Sequence, residues 1–230
     1  WQGFFYPFYL AVVYFFTHGS MLAARIAQIL LGSLLCVLVF RLGMRLFDRR
    51  TGIVAGVTAA LYGPLAFYDA ELLDTGFSAL WAVALVLLVL RARDAKGGWP
   101  AAFVGLCGGV SVVTRATFLP FLIAACGWLL FAWRRGGARP GLVAARAGLL
   151  LAGFLAVAMP VALLHRGATG DFSFLPESGP INLYIGNNPE REKTIMIRPG
   201  AEWRELTRMP SVQGSMGSAQ DRMVFVRLYF

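Results

Sequence analysis

Residues 21–50 read MLAARIAQILLGSLLCVLVFRLGMRLFDRR, and this stretch decides the fold. An apolar run from about Met21 to Leu46 is long enough, at 1.5 Å per residue, to carry an α-helix across the roughly 30 Å hydrocarbon core of a bilayer. It ends among Arg41, Arg45, Arg49 and Arg50. Outward from here the same pattern returns. Further apolar runs meet Arg91, Arg93 and Lys96 at one set of ends, then Arg134, Arg135 and Arg139. The alternating ends carry His18, then Asp69, Glu71 and Asp74, then Arg115 alone, then His165 and Arg166. Basic residues concentrated at every second turn are the mark of cytoplasmic loops, so the pattern supplies an orientation as well as a class.

Composition bounds the alternatives. With 58% hydrophobic and 14% charged residues, the chain has too little polar surface to cover itself as a compact soluble monomer. The net charge of +9 is carried largely by these loop arginines, which anchor beside anionic headgroups, and this argues against a nucleic-acid partner. Cys36, Cys107 and Cys126 all lie inside apolar runs without CxxC spacing. They read as small hydrophobes packed in the bundle. No basic n-region or cleavage site precedes the first apolar stretch, and the chain reads as an internal fragment of a longer protein.

The expected fold is all-α: a polytopic transmembrane helix bundle with an extracytoplasmic loop region. Residues 1–19 are read as an interfacial aromatic helix and outer loop, because 4–16 is too short to span and carries Tyr6, Tyr9 and Tyr14, whose amphipathic rings suit the headgroup boundary. Residues 20–165 are read as six spans: 21–46, 51–67 with a break at Gly63-Pro64, 75–90, 99–113, 117–133 and 142–164. Residues 166–222, rich in Gly, Pro, Asn and charge from Asp171 onward, are an extracytoplasmic loop or small domain. Residues 223–230 begin a further membrane-approaching helix.

Polar groups at membrane depth cost free energy, and each needs a reason. Asp69, Glu71 and Asp74 crowd one outer turn, with Glu71 and Asp74 at the i, i+3 spacing of one helix face. They are candidate catalytic residues that could bind a metal or orient or deprotonate an acceptor; equally, they could be charges at a helix start, stabilised by its dipole. Arg115 is the only charge between Lys96 and Arg134. Its guanidinium fork matches phosphate oxygens, which makes it a candidate donor-phosphate contact, with snorkelling to the headgroups as the alternative. Arg25, one turn from Gln28, is a second candidate for that contact, unless it pairs with Glu71 or Asp74 instead. In the loop, Ile181, Leu183 and Ile185 alternate into a short strand before Gly-Asn-Asn-Pro189, so Asn182, Tyr184, Asn187 and Asn188 are candidate substrate contacts or turn formers. Any metal requirement is left open.

Gln2 to Leu10, Ala23-Ala-Arg-Ile-Ala-Gln28, Arg45-Leu-Phe-Asp-Arg49, Ala60-Leu-Tyr-Gly-Pro-Leu-Ala-Phe-Tyr68 and the 105–120 segment with Thr114-Arg115 together resemble bacterial integral-membrane glycosyltransferases of the GT-C class. Protein mannosyltransferase-like and aminoarabinose-transferase-like enzymes belong to that class. The resemblance implies a multi-pass protein of the bacterial inner (cytoplasmic) membrane that takes a sugar from a polyprenyl-phosphate carrier and transfers it to an acceptor, of unassigned kind, on the extracytoplasmic side. Membrane lipid and the lipid-linked donor are the implied partners. It further implies that Arg115 contacts the carrier phosphate, that the 69–74 carboxylates lie beside the acceptor, and that the family's principal acid lies upstream of Trp1, leaving the fragment inactive alone. Phe4 departs from the family's usual proline. The competing readings are a transporter or flippase, against which the placement of charge at span ends weighs, and a non-catalytic lipid-binding subunit.

Overall fold

The computed structural model describes residues 3–170 and 172–176. Among the described residues eight helices follow one another: α1 (Phe5–Phe16), α2 (Met21–Leu46), α3 (Arg49–Leu61), α4 (Gly63–Ala70), α5 (Asp74–Asp94), α6 (Trp99–Thr114), α7 (Phe118–Arg135) and α8 (Pro140–Thr169). The chain forms two compact units, one of Gly3–Pro160 and one that takes in Val161–Phe230 with the first two residues. The described part of the second unit is the end of α8 and the irregular stretch 172–176, where the Ser173 hydroxyl accepts from the Leu175 N–H at 3.2 Å.

Local chemistry explains the helix boundaries in Gly3–Pro160. Ser20 starts α2 by accepting from the Ala23 N–H at 3.3 Å, and Asp48 starts α3 by accepting from the Thr51 N–H at 2.7 Å, each side chain filling a need of the first turn. That Thr51 N–H holds the Asp48 carboxyl below its ordinary range. Between α3 and α4 the chain bends by 47°. Pro64, in the first turn of α4, cannot donate a backbone hydrogen bond to continue α3. The break therefore falls at the Gly63-Pro64 pair where the sequence places it.

Close packing needs small residues where helices cross. A Cβ on Gly43 of α2 would lie 2.8 Å from Gly52 Cα of α3, so these two helices meet backbone to backbone. Leu85, Val104, Val112, Val113 and Leu129 are fully buried at the centre. Leu22, Leu30, Val54, Ile123 and Leu155 are exposed on its periphery. A molecule as apolar outside as inside is matched to lipid rather than water.

The helices are thus a polytopic membrane bundle. Among the described residues four single helices (α2, α5, α7 and α8) are long and apolar enough to cross a membrane, and the bent α3–α4 pair makes a fifth. Helix α6 has 16 residues, about 24 Å at the helical rise, which is short of the hydrocarbon core. Charges mark where apolar runs stop, and a run can stop before a helix is long enough to cross. Two helices also exceed their expected ends. Helix α5 continues past Leu90 to Asp94, and α8 takes in His165 and Arg166 instead of releasing them to the loop. His165 is buried. Of the three cysteines only Cys107 is buried, while Cys36 and Cys126 are half-buried.

The arginine-rich end of the bundle is knitted by contacts to backbone and rings. Arg45 of α2 pairs with Asp94 and reaches the Leu90 carbonyl of α5. Buried Arg146 of α8 donates to the Ala95 and Lys96 carbonyls at 2.9 and 2.7 Å and lies 5.4 Å over the Trp133 ring. Trp133 in turn donates its indole N–H to the Ala92 carbonyl at 3.0 Å. The last carbonyls of α5, which the helix cannot satisfy itself, are supplied with donors by α7 and α8.

Candidate functional site

The other end of the bundle gathers the polar residues singled out in the sequence. Its centre is the turn between α4 and α5. Helix α4 stops at Ala70, Glu71 follows as its cap, and Leu72 takes a left-handed φ of 53° before Asp74 opens α5. A leucine in that conformation costs on the order of 1 kcal/mol, so the surroundings must impose it.

Helix α2 grips the turn at two points. Arg25 Nε donates to the Ala70 carbonyl at 3.1 Å, and Gln28 Nε2 donates to Asp69 Oδ1 at 2.9 Å. The two side chains are three residues apart and so share one face of α2. Asp69 is 5% exposed and Gln28 0%. Glycine makes room for the carboxylate: a Cβ on Gly32 of α2 or Gly76 of α5 would run into the Asp69 oxygens. Asp69 is therefore a buried, hydrogen-bonded link between α4 and α2, with α5 against it.

Arg115, the cap residue after α6, meets the turn from another side. Its Nε donates to Asp74 Oδ2 at 2.9 Å and its Nη2 to Asp74 Oδ1 at 2.6 Å, the paired geometry that fits a guanidinium to a carboxylate. The hydrogen bonds to Asp74 raise the Arg115 pKa further and keep the group charged. Both side chains remain open to solvent, with Arg115 44% and Asp74 34% exposed.

Helix α1 lies beside this pair. Gly3 abuts the Thr114 carbonyl at the end of α6 so closely that a Cβ could not fit. The rings of Tyr6 and Tyr9 pack on Phe77 of α5 with centroids at 5.6 and 5.7 Å. Their hydroxyls are buried without a hydrogen-bond partner, as are Gln28 Oε1 and Ser78 Oγ. Burial, with the neighbouring Tyr9, Asp74 and Asp69, pushes the Tyr6 hydroxyl well above its ordinary pKa, and burial does the same to Tyr9. Both phenols therefore remain O–H groups at neutral pH.

These contacts revise the reading of individual residues. Glu71 and Asp74 do not share a helix face, because the turn at Leu72 separates them. Of the three acids, only Asp74 sits at a helix start; Asp69 is in the last turn of α4, the unfavourable end of the dipole. Arg25 pairs with neither Glu71 nor Asp74 but with a backbone carbonyl. Arg115, isolated in sequence, is ion-paired in space. Tyr6 and Tyr9 were legible only as interfacial aromatics; nothing in their spacing links them to Phe77, 71 and 68 residues later. Asn182, Tyr184, Asn187 and Asn188 lie outside the described residues. Among the described residues no three His, Cys, Asp or Glu side chains are grouped to hold a metal ion.

A half-exposed guanidinium fork already holding a two-oxygen anion can hold another. Beside it stand carboxylates and protonated phenols, in a bundle built for lipid. No curated protein and no solved structure matches the chain. The family model for dolichyl-phosphate-mannose-protein mannosyltransferases matches residues 2–164, a segment that includes α1, the α4–α5 turn and Arg115. The chain belongs to that family, and is thereby part of a multi-pass membrane glycosyltransferase of the GT-C type.

Proposed function

We propose that the chain serves a transferase that moves a sugar from a polyprenyl-phosphate carrier to an acceptor on the extracytoplasmic side of the bacterial inner membrane, with Arg115 as the contact to the carrier phosphate. The observation that carries this reading is the bidentate, half-exposed Arg115 fork at the end of the bundle opposite the arginine-rich loops. The positive-inside rule assigns those loops to the cytoplasm and the Arg115 end to the other side.

The reaction needs few groups. The acceptor hydroxyl attacks the anomeric carbon and loses its proton to a base, the bond from that carbon to the phosphate oxygen breaks, and the electron pair stays on the phosphate. Negative charge on the phosphate grows as the bond breaks, and a fixed guanidinium beside it stabilises the transition state more than the ground state. Arg25 keeps its two terminal nitrogens for a second contact, since only its Nε is engaged. Asp69 is committed to Gln28. The acceptor side then falls first to Glu71, which keeps access to solvent, since both oxygens of Asp74 are engaged by Arg115. Asn182, Tyr184, Asn187 and Asn188 remain candidates for sugar contact.

Transfer of labelled sugar from polyprenyl-phosphate donors, in membranes containing the full-length chain or its Arg115→Ala form at matched expression, tests the reading. Loss of transfer in the variant is expected. Equal transfer by both would remove Arg115 from the donor site, and no transfer by the parent from any donor would favour a transporter or lipid-binding subunit.

A further inference from the structure

We infer that Asp74 is a built-in competitor for the Arg115 anion site: it occupies the fork in the free protein, and the carrier phosphate binds by taking its place. This rests on the proposed role of Arg115 and adds what controls access to it.

The geometry supports an exchange rather than a shared site. Asp74 takes both Nε and Nη2 of Arg115, each through a different carboxylate oxygen. Those two parallel donors form one of the guanidinium's two bidentate edges, and a phosphate that takes this edge competes with the carboxylate for the same N–H groups. A structural ion pair is normally walled in by packing. This one is not: the Arg115 side chain is 44% exposed and that of Asp74 34%.

The cost of release is also limited. Asp74 is the first residue of α5, where the unsatisfied N–H groups of the first turn favour a negative charge whether or not Arg115 is present. The turn that delivers Asp74 does not depend on the ion pair either. It is held from α2, by Arg25 on the Ala70 carbonyl and Gln28 on Asp69. The fork can therefore change partner while the backbone on both sides stays in place.

An internal competitor weakens binding by the fraction of time the fork is free. For a half-exposed ion pair that fraction is about 15–40%, so removing the carboxylate is expected to tighten phosphate binding roughly two- to sixfold. Asp74 thus acts through Arg115, as a positioning residue that sets donor affinity. A residue that merely supported the fold could lower affinity when changed but would not raise it.

The test is direct binding of a short-chain polyprenyl phosphate to the full-length chain in phosphatidylcholine nanodiscs. Asp74→Asn and Asp74→Ser are expected to bind roughly two- to sixfold more tightly than the parent, and Asp74→Glu, which restores a carboxylate, to return towards the parent value. Arg115→Ala is expected to bind weakly, and the Asp74→Asn/Arg115→Ala pair no better than Arg115→Ala alone. No gain in either Asn or Ser variant, in protein that melts as the parent does while Arg115→Ala still loses binding, overturns the competition and leaves the phosphate contact standing. Parental binding by Arg115→Ala overturns the phosphate contact itself.

Discussion

At the arginine-rich end of the bundle Arg146 is engaged by backbone carbonyls that need a donor, whereas at the opposite end Arg115 is engaged by a group that could be replaced. Arg146 is 6% exposed and supplies hydrogen bonds to the carbonyls after α5, which have no helical partner of their own. Arg115 holds a carboxylate that would be stable at a helix start without it. The first arrangement is a cap, buried against backbone carbonyls and Trp133, with its Nε left without a hydrogen-bond partner. The second is open to solvent, and it borders a cluster of buried Tyr6, Tyr9, Gln28 and Ser78 oxygens that the protein leaves without partners. Buried orphan groups are uncommon; among the described residues the arginine-rich end holds one as well, Arg146 Nε, whereas four oxygens gather around α1, α2 and the start of α5.

The comparison breaks if the two ends respond alike to mutation. The largest expected effect is on Arg115→Ala, which should lower sugar transfer on the order of 100-fold, as loss of a transition-state donor does elsewhere. Its thermal stability should change little, since the ion pair it removes is half exposed. Arg146→Leu should do the reverse. Loss of two charge-assisted hydrogen bonds and the stacking on Trp133 should cost about 3 kcal/mol in an unfolding titration, with the donor KM unchanged in the protein that remains folded.

Gln28→Leu sharpens the comparison from the other side, because it removes a structural contact at the functional end. It should cost about 2 kcal/mol by leaving the Asp69 carboxylate buried and unpartnered. It should also weaken donor binding, since Asp69 helps fix the turn that ends at Asp74. A stability loss with unaltered donor binding would show that the Arg25 contact alone holds the turn.

The smallest effect concerns Asp48, at the arginine-rich end. The Thr51 N–H lowers its folded pKa below the ordinary value, so its charged form contributes stability that is fully present above the unfolded pKa near 3.9. That contribution fades as pH falls through the lower folded value. The difference in melting temperature between the parent and Asp48→Asn should accordingly be small at pH 7 and narrow further in acid, below about pH 4. A difference that stayed constant into acid would mean that the charge of Asp48 is not what the substitution removes.

Much of this architecture was readable from the chain alone, and particular elements show why. Helix α2 begins at Met21 and ends at Leu46, the limits of its apolar run, because Ser20 and the Asp48-Arg49-Arg50 group supply the start and stop chemistry in sequence. The α3–α4 break follows from Pro64, whose missing N–H is a property of one residue. The span count was less accessible. A charge pattern says where an apolar run ends but not whether the resulting helix, such as the 16-residue α6, reaches across a bilayer.

The site divides in the same way. Arg115, Arg25, Asp69, Glu71 and Asp74 could be singled out because ionisable groups in an apolar chain are costly and therefore conspicuous. Their partners could not, because each contact crosses at least 41 residues of sequence: Gln28 with Asp69, Asp74 with Arg115. Glycines 32 and 76 were indistinguishable from the chain's other glycines until the Asp69 carboxylate was seen to lie against both. Membrane class, most helix limits and family came from the order of residues, since hydropathy and capping are local properties. Which acid is buried, which cation is already occupied and which hydroxyls lack partners were decided by tertiary structure, because those depend on which helices meet and how closely their backbones approach.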